Sequence, residues 1–374
     1  MESIYRQLQR KINTIGVGFP ENENGYDVEV LKALFDEEEA EFALKMDRGL
    51  HTAKEFAESL GMPLEETERI LNKMIKDGLV YYAAHNEANG EERQYCLIST
   101  YHGFFEWNVG RMDPSWVNPM VKANIEGLSR VFFNSEHPMF RYLPVRPELV
   151  DGGKCLDEDN MELYIKRAKK CAKTPCFCRQ TSAIFSGKWF CKHNPEEELD
   201  ICLAFDDFAH FFVEELGVGE YITTEEALEI MSRATDRGTA CLVLNDTNVE
   251  GMCSCCSCCC GVIGGIRAFG PGYAKGHISN YYAVRDEEKC TNCGVCVKRC
   301  MTKALHFKDR NAEVKEVVFD VDRCIGCGLC VDTCEHDAVK LVRKPDEEIY
   351  HAPAKDYLDL NEIIAKSRRG THLL

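Results

Sequence analysis

The sequence predicts a multidomain α+β protein, and three observations predict it. In the first hundred residues, helical apolar spacing gives way to two short runs of β-forming residues. Twenty of the 22 cysteines fall between Cys171 and Cys334, so the chain changes character after its first third. Two four-cysteine runs of identical spacing lie near the C-terminus. At about 100–200 residues per domain, 374 residues correspond to roughly two to three domains.

Residues 1–50 read as helical, with Val28, Val30, Leu31, Leu34 and Phe35, then Ala40, Phe42, Ala43 and Leu44, at helical spacing. Thr52 is placed to cap a short helix that runs to Leu60 and ends at Gly61. Pro63 opens a second helix running to about Asp77, and Gly78 stops it. Leu79–Ala83 reads as a strand and Gln94–Ile98 as its return, with the turn signal Asn89-Gly90 between them. Two short helices followed by a β-ribbon is the order of a winged helix. Its chemistry argues against reading DNA. Thr52–Ile98 holds five basic and nine acidic residues, and the second helix opens Pro63-Leu64-Glu65-Glu66, acid where a base reader needs Arg, Asn or Gln. The tip from Glu87 to Glu92 is acidic as well.

The whole chain is acidic, with 45 Lys and Arg against 62 Asp and Glu and a formal charge of −17. That disfavours nucleic acid, whose affinity comes mainly from phosphate neutralisation, and suits a basic protein surface. No apolar run approaches the roughly 18 residues of a membrane span, and Met1–Arg6 lacks a secretory n-region and h-region. The expectation is a cytoplasmic protein without membrane insertion. In a reducing compartment, clustered cysteines read as metal ligands rather than disulfides.

The C-terminal repeat is the most specific motif. Cys290, Cys293, Cys296 and Cys300 obey C-x2-C-x2-C-x3-C, and Cys324, Cys327, Cys330 and Cys334 repeat it. This is the run of two-cluster bacterial ferredoxins, in which the fourth cysteine serves the other cluster. Cys290, Cys293, Cys296 and Cys334 are therefore expected to hold one [4Fe-4S] cluster, and Cys324, Cys327, Cys330 and Cys300 the second. Zinc knuckles are the alternative, but they pair two clips with no fixed fourth cysteine. Met301 and Glu335 stand where the pattern commonly has Pro, which removes no ligand. Gly294, Gly326 and Gly328 suit tight turns beside a cluster. Tyr281 and Tyr282 read either as cluster shields or as core aromatics.

Between these ends lie Cys176, Cys178, Cys191 and Cys202, then a helix capped by Thr223–Glu226, a strand Cys241–Leu244, and the string Cys253, Cys255, Cys256, Cys258, Cys259 and Cys260. Six cysteines in eight residues cannot all be buried core thiols. If the string is helical, Cys256 and Cys260 share a face. Neither stretch closes a site alone, so one or two further clusters pinned between them are expected. The all-sulfur set selects Fe–S or zinc, and a thiol relay stays open. Cys96, Cys155, Cys171 and Cys241 read as small buried hydrophobes, and His193 and His210 as structural. There is no Walker A loop and no dinucleotide fingerprint, and Gly261–Gly276 reads as turns after a Cys-bearing helix. Tyr357–Lys366 reads as a helix followed by Arg368-Arg369, docked on a partner or solvated.

Gly18-Phe19-Pro20 with Leu31–Phe35, Pro175-Cys176-Phe177-Cys178-Arg179, the cysteine string and the ferredoxin repeat together resemble a family of anaerobe 4Fe-4S ferredoxin-type proteins. That family joins a winged-helix-like domain to a ferredoxin domain, and the resemblance covers most of the chain. Cys259-Cys260-Gly261 also resembles the paired-cysteine motif of non-cubane cluster domains, although the remaining spacing departs from it. The resemblance implies electron transfer and names neither donor nor acceptor.

The expected organisation is a helical, winged-helix-like domain over 1–125, a linker over 126–160, a Cys-rich Fe–S-binding domain over 161–275, a 2[4Fe-4S] ferredoxin domain over 276–345, and a tail helix over 346–374. The expected function is electron transfer to or from a redox partner, a flavoprotein or other oxidoreductase subunit, with no catalytic residue on this chain. The alternatives are a redox- or iron-sensing winged-helix regulator and a reductase with a substrate-binding central cluster. A homo-oligomer and a bound flavin stay open.

Overall fold

The computed structural model describes residues 2–83, 92–133, 135–153, 155–270 and 279–368. Three helices, Ile4–Ile12, Tyr26–Leu34 and Glu37–Lys45, form the expected helical start. Strand β1 (His51–Thr52) leads into helix Ala53–Leu60, where Thr52 and Glu55 form a reciprocal capping box and Gly61 closes the helix at φ 63°. Helix Leu64–Lys76 follows and buries Ile70, Leu71, Met74 and Ile75. Strands β2 (Val80–Ala83) and β3 (Gln94–Leu97) pair antiparallel, and β1 adds to β3, giving the order β1-β3-β2. The expected turn at Asn89-Gly90 and most of the Glu87–Glu92 tip lie outside the described residues.

A six-stranded sheet, antiparallel throughout, organises the middle of the chain. It holds β4 (Phe140–Leu143), β5 (Cys171–Pro175), β6 (Asp200–Phe205), β7 (Glu220–Ile222), β8 (Ala240–Leu244) and β9 (Gly251–Cys255) in the order β4-β8-β9-β6-β5-β7. Alternation along the strands makes two cores. Leu203, Phe205, Val243 and Met252 pack under helix Thr224–Asp236, through Ala227, Ile230 and Met231. Ala204, Leu242 and Leu244 face the opposite way, into the large core shared with the N-terminal helices.

Two expectations need correction here. Residues 126–160, expected as a linker, supply β4, an edge strand of the sheet. All four β4 residues are buried, so the run lacks alternation, and Arg141 lies inside it, 3.8 Å from the buried Asp159 carboxylate. The cysteine string is not helical. Cys253 and Cys255 end β9, Cys256–Cys260 turn, and the helix begins only at Gly261 and runs to Phe269. Pairing of β9 with β8 supplies backbone hydrogen bonds that a cysteine-rich helix would have to find locally. Gly261–Phe269 is thus a helix following the cysteines, and 271–278 lies outside the described residues.

The C-terminal repeat folds around β10 (Tyr281–Arg285) paired antiparallel with β13 (Val339–Arg343), and β11 (Leu305–Phe307) paired with β12 (Val317–Phe319). Short helices Val295–Arg299 and Leu329–Asp332 each start from a left-handed glycine, Gly294 and Gly328. Tyr281 is a core residue, packed with Val150 and Leu341. The last helix, Tyr357–Ser367, docks on its own chain. Tyr357, Leu360 and Ile364 are buried, and the Tyr357 ring stacks on Tyr81 at 5.2 Å. Arg368 Nη1 donates to the carbonyl of Asn13 at 2.6 Å, while Arg369 lies outside the described residues. Among the described residues no helix is long and apolar enough to cross a membrane.

Candidate metal centres

None of the 22 cysteines is in a disulfide. Those of the C-terminal repeat fall into two neighbourhoods. Burial and then the neighbouring thiols Cys290, Cys293 and Cys334 push Cys296 up to about 11. Burial, then Cys324 and Cys300, push Cys327 up to about 12, and Cys330 is raised well above its ordinary value with Cys327, Cys324 and Cys300 around it. Cys334 thus lies near Cys296 and Cys300 near Cys327 and Cys330, the crossing that the repeat predicts, while Cys296 also lies near Cys330, so the two neighbourhoods adjoin. The backbone N–H of Leu305 donates to Cys300 Sγ at 3.3 Å. Gly326, at φ 62°, lets its loop approach closely, since a Cβ there would lie 2.1 Å from Ser279 Oγ and 2.4 Å from the Tyr281 carbonyl.

The ten central cysteines divide differently. Cys191, Cys256, Cys258 and Cys259 bring their sulfurs within 4.8 Å of one another. The Sγ separations are 3.5 Å for Cys256–Cys258, 3.6 Å for Cys258–Cys259, 3.7 Å for Cys191–Cys258 and 4.0 Å for Cys191–Cys256. The other six form a string of neighbours: Cys202 lies beside Cys176 and Cys253, Cys255 beside Cys253 and Cys260, and Cys260 beside Cys178. Each set draws on both cysteine-rich stretches. Strand β9 makes the division: Cys253 and Cys255 sit on it beside β6, which carries Cys202, and the turn after it carries Cys256, Cys258 and Cys259.

Sequence reasoning missed Arg179. It lies on helix Phe177–Ser186, 1% exposed, between the two thiol sets. Its Nε donates to Cys191 Sγ at 3.2 Å and its Nη2 to the Ser254 carbonyl at 3.3 Å. Despite burial, Cys176, Cys256, Cys191 and Cys202 hold its pKa above the ordinary value. The available signal was an arginine directly after Cys178 in an acidic chain. His193 Nδ1 lies 3.6 Å from Cys258 Sγ. The Cys191 thiol is held down at about 5, first by its hydrogen bond with Cys256. Cys96, Cys171 and Cys241 are buried away from both sets, and Cys155 Sγ sits 3.8 Å from the Tyr281 hydroxyl.

A cavity of about 40 Å³ lies against Cys202 and Cys253, lined also by His102 and Glu106. Glu106 accepts the Gly103 N–H at 2.9 Å, and burial pushes its carboxyl up to about 7. The buried Tyr142 of β4 lies near thiols of both regions. Burial first, then Cys255, Cys260, Cys327 and Cys253, raise its phenol well above the ordinary value.

The eight-cysteine donor set and its crossed neighbourhoods fit two iron–sulfur cubanes. Residues 289–338 match the 4Fe-4S dicluster domain family, which makes the C-terminal region iron–sulfur and ferredoxin-type. No curated protein and no solved structure matches the chain.

Proposed function

We propose that the chain is an iron–sulfur electron-transfer protein or subunit that passes electrons to or from a partner oxidoreductase in anaerobic metabolism. The observation that carries this reading is the match of residues 289–338 to the 4Fe-4S dicluster domain family, and the nearness of Cys334 to Cys296 and of Cys300 to Cys327 and Cys330 supports the crossed ligand sets. Cys290, Cys293, Cys296 and Cys334 would hold one cubane, and Cys300, Cys324, Cys327 and Cys330 the other. Bound cubanes supply one-electron exchange. The chain's own residues set its direction and environment. Cys293 is exposed and Val295 beside it is 43% exposed, which makes the first set the docking end. The Leu305 N–H on Cys300 stabilises thiolate charge at the second set. Tyr142 lies near both Cys327 and the central thiols Cys253, Cys255 and Cys260, where a further iron–sulfur cluster would sit. A net charge of −17 suits a partner with a basic docking patch.

The N-terminal unit reads as a winged helix used for docking, supported by its helix–strand–helix–helix–strand–strand order and the β1-β3-β2 sheet. The same order is what favours the second reading, a redox- or iron-sensing regulator. Glu65 and Glu66 in the first turn of Leu64–Lys76 oppose it. A gel-shift assay with reduced and oxidised protein separates the two: specific, salt-sensitive DNA binding supports the regulator and removes the docking role. The cavity beside Cys202 favours a small-molecule reductase, but about 40 Å³ accommodates a few water-sized molecules rather than an organic substrate.

The electron-transfer reading is tested by stoichiometric reduction of anaerobic holoprotein with a chemical donor and reoxidation by a partner co-purified from the native cell. Reversible one-electron cycling without turnover of a small substrate is the expected result.

A further inference from the structure

We infer that Cys191, Cys256, Cys258 and Cys259 form a closed tetrahedral site for a single zinc ion, distinct from the iron–sulfur clusters of this chain. The inference does not depend on the electron-transfer reading.

The first argument is the distance between sulfurs. One tetrahedral metal with thiolates at about 2.3 Å holds them about 3.8 Å apart. Four of the six separations run from 3.5 to 4.0 Å, and the other two lie within 4.8 Å. A four-iron cubane gives each thiolate its own iron and so spreads the sulfurs to roughly 6 Å. Among the described residues, no other set of three or more His, Cys, Asp or Glu donor atoms meets the 4.8 Å span, the repeat cysteines included. The tight spacing is thus found at Cys191, Cys256, Cys258 and Cys259 and not among the repeat cysteines.

The second argument is charge. Four thiolates around a divalent ion leave a net charge of about −2, which is costly to bury without compensation. Arg179 supplies a buried cation, with Nε on Cys191. Its Nη1 is buried and has no hydrogen-bond partner among the described residues, a donor left over for an anionic site. His193 stands at Cys258 as a further donor when its Nδ1 carries the proton.

The third argument is the choice of metal. An all-sulfur tetrahedral set with no open position is a structural zinc type, and zinc binds a given set more tightly than ferrous iron. Such an ion would pin the segment between Gly187 and Leu199, which has only a single 3-10 turn at Glu196–Glu198, onto the turn after β9, 65 residues away in sequence.

The test is elemental analysis of full-length protein produced with iron and zinc both present and purified anaerobically, with Cys258→Ala and Cys293→Ala variants. About one zinc per chain is expected beside the iron. Cys258→Ala loses the zinc and keeps the iron, while Cys293→Ala loses about four irons and keeps the zinc. Zinc-edge X-ray absorption then gives four sulfurs at about 2.3 Å. Wild-type protein without zinc, with Cys258→Ala lowering iron by about four, overturns the inference. If Cys258→Ala does not fold, cobalt substitution of the wild type decides. Tetrahedral cobalt–thiolate absorption supports the site, and its absence overturns it. Zinc present without repeat-bound iron would remove the electron-transfer reading and leave this site standing.

Discussion

The backbone N–H of Val145 donates to the carbonyl of Cys327 at 2.9 Å. One hydrogen bond thus fastens the end of β4 to the second ferredoxin run. Arg146, the next residue, continues the junction, reaching Asp332 at 2.9 Å and Asp236 at 2.7 Å. From the other side Arg299 Nη1 donates to the Asp236 carbonyl at 3.0 Å. The central sheet and the C-terminal repeat are therefore packed together, with Tyr142 near both Cys327 and the thiols Cys253, Cys255 and Cys260.

The two repeat neighbourhoods predict separable losses. Cys293→Ala and Cys327→Ala should each remove about four irons and an equal share of acid-labile sulfide. The Cys327 variant should also lower thermal stability more, because its loop is tied to β4, whereas Cys293 is exposed. Iron and sulfide analysis with calorimetry under nitrogen checks both. Equal iron in wild type and variants would refute the ligand sets.

Gly326 and Gly61 make a matched pair. Both have left-handed φ, at 62° and 63°. Gly61→Ala meets nothing within 4 Å, so it should cost only the conformational penalty of about 1 kcal/mol. Gly326→Ala drives a Cβ into Ser279 Oγ and the Tyr281 carbonyl, so it should cost several-fold more and release the second cluster. Denaturation midpoints and iron content of the two variants distinguish the cases.

Glu250 predicts a pH dependence. The Tyr81 hydroxyl donates to its carboxylate at 2.8 Å, joining β2 to the central sheet. Burial first, then the charge of Asp246, raise its pKa from 4.5 to about 8. An acid with a raised folded pKa contributes stability that is full below the unfolded value and is lost as pH rises through the folded one. Relative to Glu250→Gln, wild type should therefore lose stability between about pH 4.5 and 8, by up to about 1.4 kcal/mol per pH unit, and level off above. Melting curves of both proteins across that window test it, and parallel pH profiles would disprove it.

Arg179 predicts a positioning effect. Arg179→Met keeps most of the bulk but removes the cation shared by both central thiol sets, so metal affinity there should fall about 10–100-fold. Chelator competition reads this, with Arg179→Lys recovering part of the affinity. Unchanged metal retention in Arg179→Met would show the charge to be structural only.

The repeat and the N-terminal helices were legible because their signals are local. Fixed cysteine spacing set the first, and Thr52, Gly61, Pro63 and Gly78 punctuated the second. The central region was less legible because its organisation is non-local. Strand β4 has no alternation to announce it, since both faces are covered. Cys191 and Cys202 lie in one stretch, yet they belong to different thiol sets, because β6 carries Cys202 to Cys253 while Cys191 stays in the preceding loop. Arg179 carries no motif beyond its place after Cys178. Its importance appears only when burial puts Cys191 and Cys176 around it.

The central claim, that the C-terminal cysteines hold two redox-active cubanes, is tested most directly by low-temperature EPR of the reduced, anaerobically purified full chain. The account predicts interacting signals from about two reduced [4Fe-4S] clusters in the repeat, one of which disappears in Cys293→Ala and the other in Cys327→Ala. An EPR-silent reduced protein, with zinc in place of iron at Cys290–Cys334, would contradict it.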